Sequence, residues 1–220
     1  MFLGHIAFAF AAKRAAPRTS LGVLVAAAQW LDLLWPILLL VGVEHVALDP
    51  AGSGFARLAF LDYPISHSLL AVLLWSVAAG LLYTAFRRDV HGAFVVGLLV
   101  LSHWVLDFAA HRPDLPLVPG GARVGLGLWR SALATAVVEL ALFGLGVALY
   151  VAATRARNRI GRIALWGFVI FLLLIYAANA LGPAPPSGDA VAWGALAGWL
   201  LPFWAAWADR HRNATGGGAA

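Results

Sequence analysis

Gly92-Ala93-Phe94-Val95-Val96-Gly97-Leu98-Leu99-Val100-Leu101-Ser102-His103-Trp104-Val105-Leu106-Asp107-Phe108-Ala109-Ala110-His111 is long and apolar enough to cross a bilayer as a helix, yet it carries three ionisable side chains. His103, Asp107 and His111 recur every fourth residue. On a helix of about 3.6 residues per turn, that spacing puts all three on one slowly drifting face. An imidazole and a carboxylate one turn apart can grip one divalent cation, as paired His do in helical zinc sites. Ionisable groups inside a span are costly, and by default they mark function. The competing reading is helix-to-helix hydrogen bonding with an interfacial His.

The rest of the chain agrees with a membrane protein. Hydrophobic residues make up 62% of it and charged residues only 11%. A soluble domain carries about 25% charged residues. The 220 residues therefore make one transmembrane domain over 1–212, with a Gly-rich tail at 213–220 expected to be disordered. Having no cysteine, the chain forms no disulfide and offers no thiolate ligand or thiol nucleophile. Its basic surplus sits in short loops between apolar runs, where Lys and Arg set topology. Nucleic-acid binding is excluded on that ground.

Residues 2–12 are apolar apart from His5 and are followed by Lys13, Arg14 and Arg18. Charges after the apolar part are the reverse of a signal peptide. Eleven residues are too few to span, since a bilayer needs about 20. The segment reads as a half-helix that enters from one side and brings His5 to the depth of Asp32. Spans are expected at 20–43, 65–86, 91–110, 130–154, 161–181 and 189–208. Basic clusters at 13–18, 87–88, 155–162 and 210–212 alternate with loops poorer in base. The positive-inside rule then puts both termini in the cytoplasm, as in a multi-pass protein of a bacterial inner membrane. The expected fold is an all-α bundle of six transmembrane helices plus the half-helix.

The polar residues of the other spans are few. Asp32 lies near the midplane of the first span, and Pro36 is expected to kink that span and open a cavity. The second span opens at Tyr63-Pro64-Ile65-Ser66-His67-Ser68, with Ser66 as its expected cap and His67 in its first turn, on the non-cytoplasmic side. Glu139 is buried in the fourth span. The last two spans read as packing, with Gly194 and Gly198 spaced as a small-residue contact.

There is no Gly-x-Ser-x-Gly elbow, His-Glu-x-x-His, P-loop or dinucleotide fingerprint. Membrane lipid phosphatases share His-x-x-x-Asp, but their basic phosphate clamp is missing. A closer likeness is the order of His5 in a short N-terminal segment, Asp32 in the first long span, Ser66-His67-Ser68, and His103-x-x-x-Asp107. This order, over residues 1–120, resembles the YdjM-like family of inner-membrane, metal-dependent hydrolases. Where that family often reads Leu-Pro-Asp-x-Asp-His and His-Arg-x-x-Thr-His-Ser, this chain has Gln29-Trp30-Leu31-Asp32-Leu33-Leu34 and only Ser66-His67-Ser68. One carboxylate and one or two His of the family pattern are therefore absent.

The expected function is a membrane-embedded metal-dependent hydrolase acting from the non-cytoplasmic side on a lipid-linked or amphipathic substrate. Zn²⁺ suits His and carboxylate donors without Cys. His67, His103 and Asp107 are the expected ligands, joined by His5, which the family resemblance makes functional. Asp32 serves as a fourth ligand or catalytic partner, and Glu139 as general base. His111, Asp114, Ser66 and Ser68 are expected to orient ligands or meet substrate. The alternatives are a transporter of metal ions or protons, and a non-catalytic assembly protein. Membrane lipid is the expected partner, and nothing in the sequence specifies an oligomeric state.

Overall fold

The computed structural model describes residues 1–49 and 57–215. The chain is an all-α, multi-pass membrane bundle. Among the described residues, five helical stretches are each long and apolar enough to cross a membrane: Leu69–Arg87 (α4), Val90–Ala110 (α5), Ala132–Ala153 (α6), Arg159–Leu181 (α7) and Gly188–Arg210. The last comprises α8 (Gly188–Leu196), a 3-10 turn and α9 (Leu200–Arg210). The bent pair α2 (Leu21–Ala28) and α3 (Trp30–Leu40) meets the same test only when taken together, as a broken span or a re-entrant loop.

Helix α1 (Phe2–Ala15) is the expected half-helix. It is apolar nearly all round, and such a helix is stable only when enclosed. Leu3, Ile6, Ala9 and Phe10 are fully buried among α2, α5 and α6. Gly146 lets α6 approach closely, because a Cβ there would lie 2.4 Å from the Ala7 carbonyl oxygen. Helix α4 shows the opposite pattern. Only Val72 is buried, and Leu74, Val77, Leu81 and Leu82 face outward. A row of this kind is stable against lipid and unfavourable against water.

The basic clusters gather at one end of the bundle. There Lys13 Nζ donates to Asp209 Oδ2 (2.7 Å) and to the Thr19 carbonyl (2.9 Å). Asp209 also accepts from the Leu21 amide and from the Tyr150 hydroxyl. Lys13, one of the basic residues that follow the first apolar segment, is thus a buried tie between α1, α2 and α9. The sixth span is more than apolar packing.

Four details differ from expectation. The first span bends by 55° at Gln29, not at Pro36, which sits inside a continuous α3. The bend falls where the backbone it frees finds a partner, as described below. Ser68, not Ser66, caps α4 by accepting from the Ala71 amide, so Ser66 and His67 lie before the helix. Ser66 has other partners, and Ser68 also donates to the Pro64 carbonyl. The tail starts as a strand: β6 (Arg212–Ala214) pairs antiparallel with β5 (Thr154–Ala156), since the two basic segments leave α9 and α6 side by side. Residues 216–220, the rest of the expected disordered tail, lie outside the described residues. Among the described residues, Gly194 makes no small-residue contact, because nothing beyond its own stretch of helix lies within 4 Å of where its Cβ would be.

The opposite end carries a cap. Strands β1 (His45–Leu48) and β2 (Leu58–Asp62) form a hairpin, and β3 (Leu115–Pro116) pairs with β4 (Arg123–Val124) in the proline-rich loop. Arg112 joins the two pieces by donating to Asp49 Oδ2 (2.9 Å) and to Asp114 Oδ2 (3.2 Å).

Candidate metal centre

Three segments bring four polar side chains to one point. His103 and Asp107 come from one face of α5, Asp32 from the first turn of α3, and His67 from the turn before α4. Asp32 Oδ1 lies 3.6 Å from both His67 Nε2 and His103 Nε2. Asp107 Oδ2 lies 3.7 Å from His67 Nε2 and 3.1 Å from His103 Nε2. A tetrahedral ion with bonds of about 2.0–2.1 Å holds its ligand atoms about 3.4 Å apart. These four separations, 3.1 to 3.7 Å, bracket that edge, and within the set Asp32, His67 and His103 form a trio whose ligand atoms all lie within 4.8 Å of one another.

The outer nitrogens of both imidazoles are already engaged. His103 Nδ1 lies 2.7 Å from the Ala28 carbonyl oxygen, which can only accept, so Nδ1 carries the proton. That carbonyl is available because the break at Gln29 removes its helical partner. His103 Nε2 is left buried and without a hydrogen bond, although Asp107 Oδ2 is close by. His67 is held in the same way. Ser66 Oγ donates to Glu44 Oε2 (2.6 Å), so it accepts from His67 Nδ1 (2.7 Å). Glu44 Oε1 takes the Ile65 and Ser66 amides, each at 2.8 Å. Both Nε2 lone pairs therefore face two carboxylates across a gap, and a cation satisfies that arrangement.

Glu44 was not legible as a site residue. It reads as one acid among several in an outer loop, 22 positions from Ser66. It turns inward because Gly42, at φ 71°, adopts the left-handed conformation that ends α3 and reverses the chain. Substituting Ser66 by Ala, or Glu44 by Gln, is expected to weaken metal affinity by about 10–100-fold, as loss of outer hydrogen bonds to ligands typically does. Competition with a chromophoric chelator measures this.

His5 reaches the centre at Asp107. Its Nε2 lies 3.1 Å from Asp107 Oδ1, the carboxylate oxygen turned away from the four-atom set. Its ring stacks on His103, with centroids 3.5 Å apart and planes 5° from parallel. The Met1 amino group donates to the same Asp107 oxygen. His5, His103 and Asp107 also form a second possible ligand trio, but both trios need His103 Nε2. With Nδ1 held by Ala28, that nitrogen could serve only one ion.

Glu139 lies apart from the four-atom set. Its Oε2 accepts from the Leu3 and Gly4 amides at 2.7 and 3.3 Å, which closes the N-terminus of α1. Its Oε1 is buried without a partner. His111 and Asp114 meet in the cap, not at the centre: His111 Nδ1 is 3.0 Å from Asp114 Oδ1, and the Tyr63 hydroxyl donates to the same oxygen (3.2 Å). Burial, and then the Asp114 charge, push the Tyr63 phenol above its usual pKa, so it stays a donor. Its ring lies 5.2 Å from that of His67, linking cap to centre.

Asp32 opens onto a cavity of about 560 Å³ between α3, α7 and α8. Its side chain is 39% exposed, against 0–4% for His67, His103 and Asp107. Three donors are thus shut in, and the fourth faces the access route.

The fold and site define a multi-pass helical membrane protein with a buried His/Asp centre beside an apolar cavity. A scan against protein-family models finds no match to this chain, and searches of curated proteins and of solved structures find none either.

Proposed function

We propose that this chain is a membrane-embedded, metal-dependent hydrolase of a lipid-linked or amphipathic substrate, with its centre facing the non-cytoplasmic side of a bacterial inner membrane. The observation that carries the reading is the pair of imidazoles whose Nδ1 protons are held outward while both Nε2 atoms face Asp32 and Asp107. The resemblance to the YdjM-like family supports the same class, and the gathering of basic residues at the far end supports cytoplasmic termini. His67, His103 and Asp107 would hold the ion, with Asp32 at the open position. Zn²⁺, if bound there, would lower the pKa of a water and polarise a phosphoryl or acyl oxygen.

The remaining roles belong to the chain. Asp32, on the cavity side and not a ligand in this reading, receives the proton of the attacking water and returns it to the leaving oxygen. Asp107 is held in place by His5 and the Met1 amino group at its other oxygen. The cap of Tyr63, His111 and Arg112 limits water at the outer end. The test is turnover of membrane lipid extract by protein in vesicles, stripped with chelator and then reloaded with Zn²⁺. Asp32→Asn is expected to keep its metal and to lose at least about 100-fold in rate, the low end of what a positioned acid-base group supplies. Zinc flux across the vesicle wall without turnover would favour a transporter instead.

A further inference from the structure

The cavity beside Asp32 is walled mainly by hydrocarbon. Leu33 and Trp35 line it from α3, Phe171 and Ile175 from α7, and Val191 from α8. Among the described residues, its polar lining consists of Gln29, Asp32, Arg57 and Asn179 with the indoles of Trp35 and Trp129. A water-soluble substrate entering it would give up hydration without matching partners, at a cost of several kcal/mol for each unpaired polar group. A hydrocarbon chain loses nothing on entry. The volume falls within the usual range for ligand sites, about 300–1,000 Å³.

Two glycines make this room. Gly194 and Gly198 lie one turn apart on the wall, where a packing motif would put them against another helix. Among the described residues, no atom beyond its own stretch of helix lies within 4 Å of a Cβ built on Gly194, and the nearest to Gly198 is Leu33 Cδ2 at 3.6 Å. Gly194 lies within helix α8, where glycine costs about 1 kcal/mol relative to alanine. Its side of the cavity is therefore kept open at some expense in helix stability.

We propose that this cavity is the chain-binding half of the active site: it takes one long hydrocarbon chain of a lipid whose anionic ester head lies at Asp32. The ester position follows from Asp32 belonging both to the cavity and to the donor set. The anionic head follows from Arg57, a cationic residue of the cavity lining, which donates one hydrogen bond to the Gly182 carbonyl (2.6 Å). The assignment rests on the hydrolase reading above. Gly194 sets which chains fit.

The probes are hexadecyl phosphate and butyl phosphate, each with a terminal diazirine, offered to the full chain in lipid nanodiscs. Cross-linked peptides are mapped by mass spectrometry, and the metal content of each variant is measured in parallel. The long probe is expected to label Leu33 and Val191, and the short one not to. Gly194→Phe is expected to cut that labelling at least about tenfold, equivalent to 1.4 kcal/mol, with metal content unchanged. Ala195→Phe, on the same wall, provides a second occluding variant, and Gly194→Ala is expected to label normally. Labelling that ignores both occluding variants, or that is equal for the two probes, overturns the chain assignment while leaving the hydrolase reading intact. Wild-type protein that takes the label but holds no metal removes the hydrolase reading, and the substrate assignment falls with it.

Discussion

Replacing His103 by alanine is expected to lower metal affinity by more than about a hundredfold, beyond the 10–100-fold that loss of an outer partner costs. His103 supplies the nitrogen common to both ligand trios, so no neighbour substitutes for it. The variant also leaves the Ala28 carbonyl buried without its 2.7 Å partner, which costs about 1–3 kcal/mol of stability. Asp107→Asn separates the two effects. An asparagine keeps an oxygen for His5 but turns an NH2 donor toward the ion, so metal is lost with the shape of the side chain retained. Isothermal titration with Zn²⁺ on both folded variants reads the affinity. Wild-type affinity in both would make the cluster a packing device.

The second large effect is at the other end of the bundle. Lys13 and Asp209 are 7% and 9% exposed and 2.7 Å apart. Removing one member of a buried ion pair strands the other and typically costs about 3–5 kcal/mol. Asp209→Ala also strands the Leu21 amide and the Tyr150 hydroxyl. Lys13→Met and Asp209→Ala are each expected to lower the thermal midpoint in detergent sharply. The double replacement Lys13→Met with Asp209→Leu is expected to regain most of the loss, because an apolar pair carries no uncompensated charge. Metal content is expected to stay at the wild-type level in every variant that folds. A Lys13→Met protein as stable as wild type would show the pair to be incidental.

How far the site was legible depended on where its signal lay. The His103–Asp107 repeat is local, so helix geometry alone placed both on one face. The half-helix was also legible, because an apolar run of eleven ending in Lys13 and Arg14 has only one comfortable depth. Asp32 and His67 were found by the cost of an ionisable group in or beside a span, and the structure puts both within 3.6–3.7 Å of α5 donors. Contacts across the chain were another matter. The break at Gln29 has no residue signature, and the neighbouring proline drew attention to Pro36 instead. Its reason is the His103 hydrogen bond, made 75 residues away. Glu44 and Asp209 read as loop and terminal acids, because nothing local says that a turn will fold one inward or that a lysine will meet the other. Gly194 matched a packing motif by spacing, and only the space around it shows the difference.

The measurement that bears most directly on the proposed centre is elemental analysis of the purified full-length chain beside its His103→Ala variant. The account predicts one divalent ion per wild-type chain, most readily zinc, and none in the variant. Wild-type protein without stoichiometric metal, after purification in the absence of chelators, would contradict it.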